Sequence, residues 1–351
     1  METICFDADF TLVKYHLRNF IKLNYEKILS NLVELNYSEE LFEHFALEEP
    51  EKYFVSGLIA DMQTGYLLKL SKGNFILKAF YGFEEVAPEV LERIYGSPPK
   101  FQVKEVVPYY QENHCWLFLT NFSLGTGLVF RVGVERIRQG MLSKSFSELA
   151  TDIKKAIQMN FDNSNEGFFA KVRKNPEDYI VPQPGLRQLL ERLSETGKKL
   201  VLVTNSPVSY TELIMEFTLG LNWMDLFDTV LASAHKPQFF KESSAEVMKG
   251  EKNHLDWSQV VFVGDHYVGD VYAAKMSYAK VGCVFEEAQR ELGVQGVLSK
   301  TLKSRSGAEY HDQWGSVIGT EGEGFWWEWV CRYSDFISTD VEGIINYLIA
   351  N

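Results

Sequence analysis

The stretch Ile4-Cys5-Phe6-Asp7-Ala8-Asp9-Phe10-Thr11 decides how the rest of the chain is read. Three apolar, strand-forming residues run into two carboxylates one residue apart, and Thr11 closes the turn. In open α/β sheets the carboxyl ends of the strands face the ligand crevice, so Asp7 and Asp9 are candidate site residues as well as candidate turn formers. Which reading holds depends on whether other strands bring polar residues to the same edge.

From Pro184 onward the pattern is regular. It predicts a helix over 185–196, strands over 199–203, 229–231 and 260–263, and a helix over 209–219 between the first two. A helix over 270–276 and a last strand over 279–284 complete it. Alternating strands and helices of this length indicate an α/β, doubly wound, mainly parallel sheet. Three of these strands run into polar motifs: Thr204-Asn205-Ser206, Ser233-Ala234-His235-Lys236-Pro237 and Gly264-Asp265-His266-Tyr267-Val268-Gly269-Asp270. Taken singly, Thr204 reads as a capping hydroxyl, Lys236 as a solvated cation, Asp265 as a turn former and Asp270 as a helix N-cap. Taken with Asp7 and Asp9, they place four strand ends on one crevice.

Charge then limits the chemistry. Asp7, Asp9, Asp265 and Asp270 have only Lys236 among them, and carboxylates so placed repel one another or take up protons. A hard divalent cation resolves the conflict. Mg²⁺, which accepts a carboxylate or two plus water and substrate phosphate, is the expected cofactor.

Between the first strand and this half lies a long insertion. A helix is expected over 18–37 and a β-hairpin over 65–82 around Gly73-Asn74. A short strand is expected over 103–107. The apolar runs 116–119 and 127–134 follow, separated by Asn121-Phe122-Ser123-Leu124-Gly125, and then a helix over 146–161 with Ser145 or Ser147 at its cap. Residues 1–20 and 165–351 are therefore assigned to a core and 21–164 to a cap, with the hairpin free to pack on the core. Phe325-Trp326-Trp327-Glu328-Trp329 is expected to pack against the chain itself, an oligomer contact being the alternative.

Composition sets outer limits. The 351 residues are 46% hydrophobic with a formal charge of -13, which argues against a general nucleic-acid or acidic-membrane surface. No apolar run reaches the roughly 18 residues of a membrane span, and no basic stretch leads into an apolar signal core, so a cytoplasmic protein is expected. Cys5, Cys115, Cys283 and Cys331 have no CxxC spacing, indicating neither a zinc site nor a disulfide framework.

The four motifs together resemble the haloacid dehalogenase superfamily. Aspartate in the second position of the first motif resembles its phosphatases, not its dehalogenases. Phe6-Asp7-Ala8-Asp9-Phe10-Thr11-Leu12, Val203-Thr204-Asn205-Ser206, His235-Lys236-Pro237-Gln238-Phe239-Phe240 and Gly264 to Asp270 are similar to the cytosolic purine 5'-nucleotidase branch. The resemblance implies that Asp7 attacks phosphorus and that Asp9 protonates the leaving alkoxide and then activates water. It further implies that Asp7, Asp265 and the Asp9 carbonyl bind Mg²⁺, while Asp270 lies near the metal or orients Lys236. Thr204, Asn205 and Lys236 would receive the phosphoryl oxygens, and the insertion would cap the site. Thr11, Asn205, Phe122, Lys154 and Gln158 are the substrate-binding candidates. Phe122 matches a base-stacking aromatic of the branch. Lys154 and Gln158 stand where the branch has an arginine and an aspartate, which removes the planar fork and the carboxylate that read a purine.

The expected function is Mg²⁺-dependent hydrolysis of a small phosphomonoester, a nucleoside 5'-monophosphate or similar. Two rivals belong to other classes. A phosphorylation-switch receiver also clusters Asp, Thr and Lys at strand ends, but it is compact and carries its acceptor in mid-domain. A binding or scaffold protein would keep the fold without turnover.

Overall fold

The computed structural model describes residues 3–42, 52–103, 114–162, 167–242, 244–251, 255–303, 311, 313–319 and 322–351. The chain divides into two compact units, one comprising Met1–His16, Asn175–Leu302 and Trp329–Asn351, the other Leu17–Lys174 and Lys303–Glu328. Among the described residues no helix is long and apolar enough to cross a membrane.

The first unit is built on an eight-stranded sheet. Its order is Glu246–Lys249, Thr229–Ala232, Lys199–Val203, Thr3–Phe6, Val260–Gly264, Lys280–Val284, Phe336–Ser338, Val297–Leu298. The six inner strands run parallel, and the two outermost pair antiparallel to their neighbours. Thr3–Phe6 sits in the middle, with Ile4 opposite Leu200 on one side and Val261 on the other. Ile4, Cys5, Phe6, Leu200, Leu202, Val203, Phe262 and Val263 are fully buried. A strand covered on both faces has no polar face to show, hence the unbroken apolar runs.

The sheet extends further than the sequence indicates. Lys280–Val284 is followed on its outer side by Phe336–Ser338 and Val297–Leu298, and Glu246–Lys249 closes the opposite edge. The three added strands are two to four residues long, too short for a period-two pattern to register.

The second unit carries a five-stranded antiparallel sheet in the order Glu84–Glu85, Ile76–Tyr81, Tyr66–Leu70, Leu58–Asp61, Cys115–Phe118. Tyr66–Leu70 and Ile76–Tyr81 form the expected hairpin, with Asn74 in the left-handed conformation at its turn (φ 68°). The expected strand over 103–107 lies, beyond Val103, outside the described residues. Residues 127–134 belong to the helix Ser123–Arg138, not to an isolated apolar run. That helix is buried nearly all round, so it lacks the polar stripe by which a helix is recognised. It packs closely because it carries glycines. A Cβ at Gly127 would lie 2.1 Å from the Phe54 ring, and one at Gly133 would lie 2.7 Å from Leu149.

Residues 303–328, assigned to the core from sequence, belong to the second unit. Trp314 is buried against Phe80 with ring centroids 4.6 Å apart, and Gln313 accepts a hydrogen bond from the buried Arg131 at 2.8 Å. Phe325, Trp326, Trp327 and Trp329 are all buried in the chain. The helix Phe325–Tyr333 is shared, with 325–328 in the second unit and 329–333 in the first.

Candidate active site

Thr3–Phe6 ends at Asp7, whose N–H still donates to the Val263 carbonyl at 2.9 Å, so the nucleophile candidate is fixed by the sheet ladder. Its Oδ1 accepts from the Ala8 N–H and from Lys236 Nζ, each at 2.8 Å. Among the described residues its Oδ2 has no hydrogen-bond donor. The loop that follows turns through Phe10, a buried residue in the left-handed region (φ 52°), and returns as Val13 N–H donates to the Ala8 carbonyl at 2.9 Å.

Lys236 is buried, and its ammonium stands among three oxygens. Nζ lies 2.8 Å from Asp7 Oδ1, 2.6 Å from Asp270 Oδ1 and 3.0 Å from the Val203 carbonyl at the end of its strand. Burial works against its charge, but Asp270 and Asp7 together outweigh burial and hold the ammonium protonated beyond the ordinary lysine range. Lys236 thus neutralises carboxylates of the chain itself.

Asp265 and Asp270 come from the end of Val260–Gly264 and from the π-helical turn Tyr267–Tyr272 that replaces the start of the expected α-helix. The His266 N–H donates to Asp270 Oδ2 at 3.1 Å. Gly264 makes this approach possible, since a Cβ there would lie 2.4 Å from Asp270 Oδ2. The His266 ring accepts the Gly269 N–H at Nδ1, 2.9 Å away, which leaves its proton on Nε2. Burial, aided by Lys236, pushes that imidazole down to about 4.

Asp7, Asp265 and Asp270 each present a carboxylate oxygen, and the three oxygens lie within 4.8 Å of one another. Burial and then Asp270 push Asp7 up to about 7, despite Lys236. Burial, Asp7 and Asp270 hold Asp265 well above the usual carboxylate range. Asp265 makes no hydrogen bond to any described residue. Three hard oxygen donors, one of them unpartnered, with a single ammonium between them, fit a metal cation.

Asp9 is not in that trio. Its Oδ1 accepts from Tyr15 Oη at 2.5 Å and its Oδ2 from Ser206 Oγ at 2.7 Å. Burial and Asp7 raise it to about 6, against the pull of those two hydroxyls and Lys236. Neither Tyr15 nor Tyr210, whose hydroxyl is 3.2 Å from that of Tyr15, was marked by the sequence. Ser206 stood inside a quoted motif without a role.

The remaining candidates fall in different places. Thr204 is fully buried. Its N–H continues the ladder to Leu231, and its Oγ1 accepts from the Ser206 N–H at 3.1 Å. Asn205 grips the Lys236 main chain, and the Lys236–Pro237 peptide is cis. Thr11 is buried, and its Oγ1 has no partner among the described residues. Phe122, Lys154 and Gln158 belong to the second unit. There the Phe122 ring meets Phe20 edge-on at 4.9 Å, Lys154 Nζ lies 5.0 Å over the Trp116 ring, and Gln158 is exposed on the same helix as Lys154.

A sequence model of the 5' nucleotidase family matches residues 1–259. The chain belongs to that family. Over 247 residues it is 30% identical to 5'-nucleotidase domain-containing protein 1 of Homo sapiens, covering 68% of this chain and 54% of that protein. Over 335 residues it is 24% identical to human 5'-nucleotidase domain-containing protein 2, covering 84% of this chain and 62% of the relative. It therefore spans between about half and about three fifths of the relatives' length. A solved HAD phosphatase from Thermococcus onnurineus aligns at 17% identity with a TM-score of 0.33, covering 84% of this chain and 89% of that one. This family member thus has a mostly parallel α/β sheet, a separate antiparallel insertion sheet and an acidic cluster at the sheet's carboxyl edge.

Proposed function

We propose that the chain is a Mg²⁺-dependent phosphomonoester hydrolase working through an aspartyl-phosphate, with a nucleoside 5'-monophosphate or a similar small phosphate as substrate. The observation that carries this reading is the asymmetry of Asp7. One oxygen is pinned by Lys236 and the Ala8 N–H, and the other is left without a donor among the described residues. A carboxylate fixed at one oxygen and open at the other is oriented for attack.

Asp7 and Asp265, with Asp270 alongside, would hold the ion, which supplies the positive charge that lets a dianionic ester approach three carboxylates. Asp7 Oδ2 attacks phosphorus, the bond from phosphorus to the ester oxygen breaks, and Asp9 gives its proton to the departing oxygen. Asp9 then takes a proton from water, the oxygen of that water attacks phosphorus, and cleavage of the bond to Asp7 releases inorganic phosphate. Lys236 opposes protonation of Asp7 and holds its Oδ1 in place, and the Thr204 and Thr11 hydroxyls are the groups suited to phosphoryl oxygens. Phe122, Lys154 and Gln158 are retained as leaving-group candidates on the insertion.

Phosphate release from a panel of nucleotide, sugar and head-group monophosphates, with Mg²⁺ and with chelator, tests the reading. Turnover of at least one ester is expected only with the metal. Asp7→Asn is expected to lower it by about 10³-fold or more, as loss of a nucleophile requires. Undiminished turnover in Asp7→Asn would refute the mechanism.

A further inference from the structure

Asp9 is held at both oxygens by hydroxyls that no motif assigns. Tyr15 Oη donates to Oδ1 at 2.5 Å and Ser206 Oγ donates to Oδ2 at 2.7 Å. All three residues are buried. The donors come from separate elements. Tyr15 lies on the short strand Lys14–Tyr15, which pairs antiparallel with Ile180–Val181. Ser206 follows the strand Lys199–Val203 and is set by its N–H bond to Thr204 Oγ1. Tyr210, fully buried on the helix Val208–Leu219, lies behind Tyr15 with the two hydroxyls 3.2 Å apart, close enough for either to donate.

A carboxylate on a single rotatable bond presents its oxygens at any angle unless something fixes the plane. Two donors, one per oxygen, fix it. The pair also works in both halves of a proton-transfer cycle. When Asp9 is ionised, Tyr15 and Ser206 donate to it. When Asp9 carries a proton aimed at the leaving oxygen, each of its oxygens still has a lone pair that accepts from Tyr15 or Ser206. The carboxyl plane is therefore kept in either state. Neither hydroxyl bonds to Asp7, so the effect of the pair is expected on proton delivery and not on attack.

We infer that Tyr15 and Ser206, backed by Tyr210, form a hydroxyl clamp that positions Asp9 for proton transfer to the leaving oxygen. The inference rests on the hydrolase reading above and predicts what that reading alone does not. Loss of the clamp damages the reaction in proportion to how much the leaving group needs a proton. An alkoxide needs one in full, whereas p-nitrophenolate departs without help.

The test compares kcat on p-nitrophenyl phosphate with kcat on a nucleoside 5'-monophosphate or other alkyl phosphate, for wild type, Tyr15→Phe, Ser206→Ala and Ser206→Thr. Tyr15→Phe and Ser206→Ala are each expected to lower kcat on the alkyl ester by about 10-fold or more and on the aryl ester by less than about 3-fold. KM is expected to hold in both. Ser206→Thr, which keeps the hydroxyl, is expected to restore the wild-type ratio. Equal losses on both esters in the two independent variants would mean a merely structural role and overturn the clamp. A wild type that cleaves the aryl ester alone has no acid to aim, which overturns the clamp and leaves attack by Asp7 standing. A wild type that cleaves neither overturns both.

Discussion

Asn205 holds the main chain of Lys236 at both ends: its Oδ1 accepts the Lys236 N–H at 2.6 Å, and its Nδ2 donates to the Lys236 carbonyl at 3.2 Å. This residue was expected to meet a phosphoryl oxygen. Its observed bonds make it a brace for the one ammonium that the described residues bring to the three clustered carboxylates. Asn205→Ala is expected to cost roughly 1–2 kcal/mol of stability, measured by urea unfolding, because two paired main-chain groups lose their partner. Turnover is expected to fall with it, and a variant with full activity would show that Lys236 holds its place unaided.

Gly264→Ala isolates the approach of Asp270. The added methyl would stand 2.4–2.5 Å from the Asp270 side chain, while Gly264 itself is not in the left-handed region. The cost is therefore crowding and not backbone strain, roughly 1–3 kcal/mol. Titration calorimetry is expected to show weaker Mg²⁺ binding, because Asp270 moves away from Asp7 and Asp265. Unchanged affinity would remove Asp270 from the cation's surroundings.

Metal-free protein is expected to lose stability as pH rises through the weakly acidic range. Asp7 and Asp9 keep their protons up to about 7 and about 6 when folded, but only to about 3.8 when unfolded. The stability they contribute is full below about pH 3.8 and is lost as pH climbs past those folded values. Thermal melts in chelator should fall by several degrees between about pH 4 and about pH 7. Added Mg²⁺ should raise the melting temperature more at pH 7 than at pH 5, since the ion takes the place of protons. A flat profile in chelator would mean that the carboxylates are ionised without a cation.

The inner sheet was legible because buried parallel strands are written as apolar runs with polar residues at one end. Leu200 to Val203 followed by Thr204, and Val260 to Val263 followed by Gly264-Asp265, are of this kind. Phe336–Ser338 was not legible, since three residues of strand carry no period. The helix Ser123–Arg138 was hidden by being buried on every side. At the site the carboxylates could be found from sequence because like charges in sequence order demand an explanation. Tyr15, Ser206 and Tyr210 could not, because a hydroxyl bonded to a carboxylate leaves no mark in spacing or charge. Lys236 was found, but only the structure shows that it already stands between two carboxylates and a main-chain carbonyl.

The central place of Thr3–Phe6 also bears on how the protein is made. Its two neighbours in the sheet begin at Lys199 and Val260, both beyond most of the inserted unit. Pairing across such separations closes long loops and is slow compared with local contacts. As the chain leaves the ribosome, Asp7 emerges before Lys236 and has no opposite charge beside it until Lys236 follows. The clustered carboxylates therefore come together in a late step of folding, and a chain that stops short of Val260 carries Asp7 without Asp265 and Asp270.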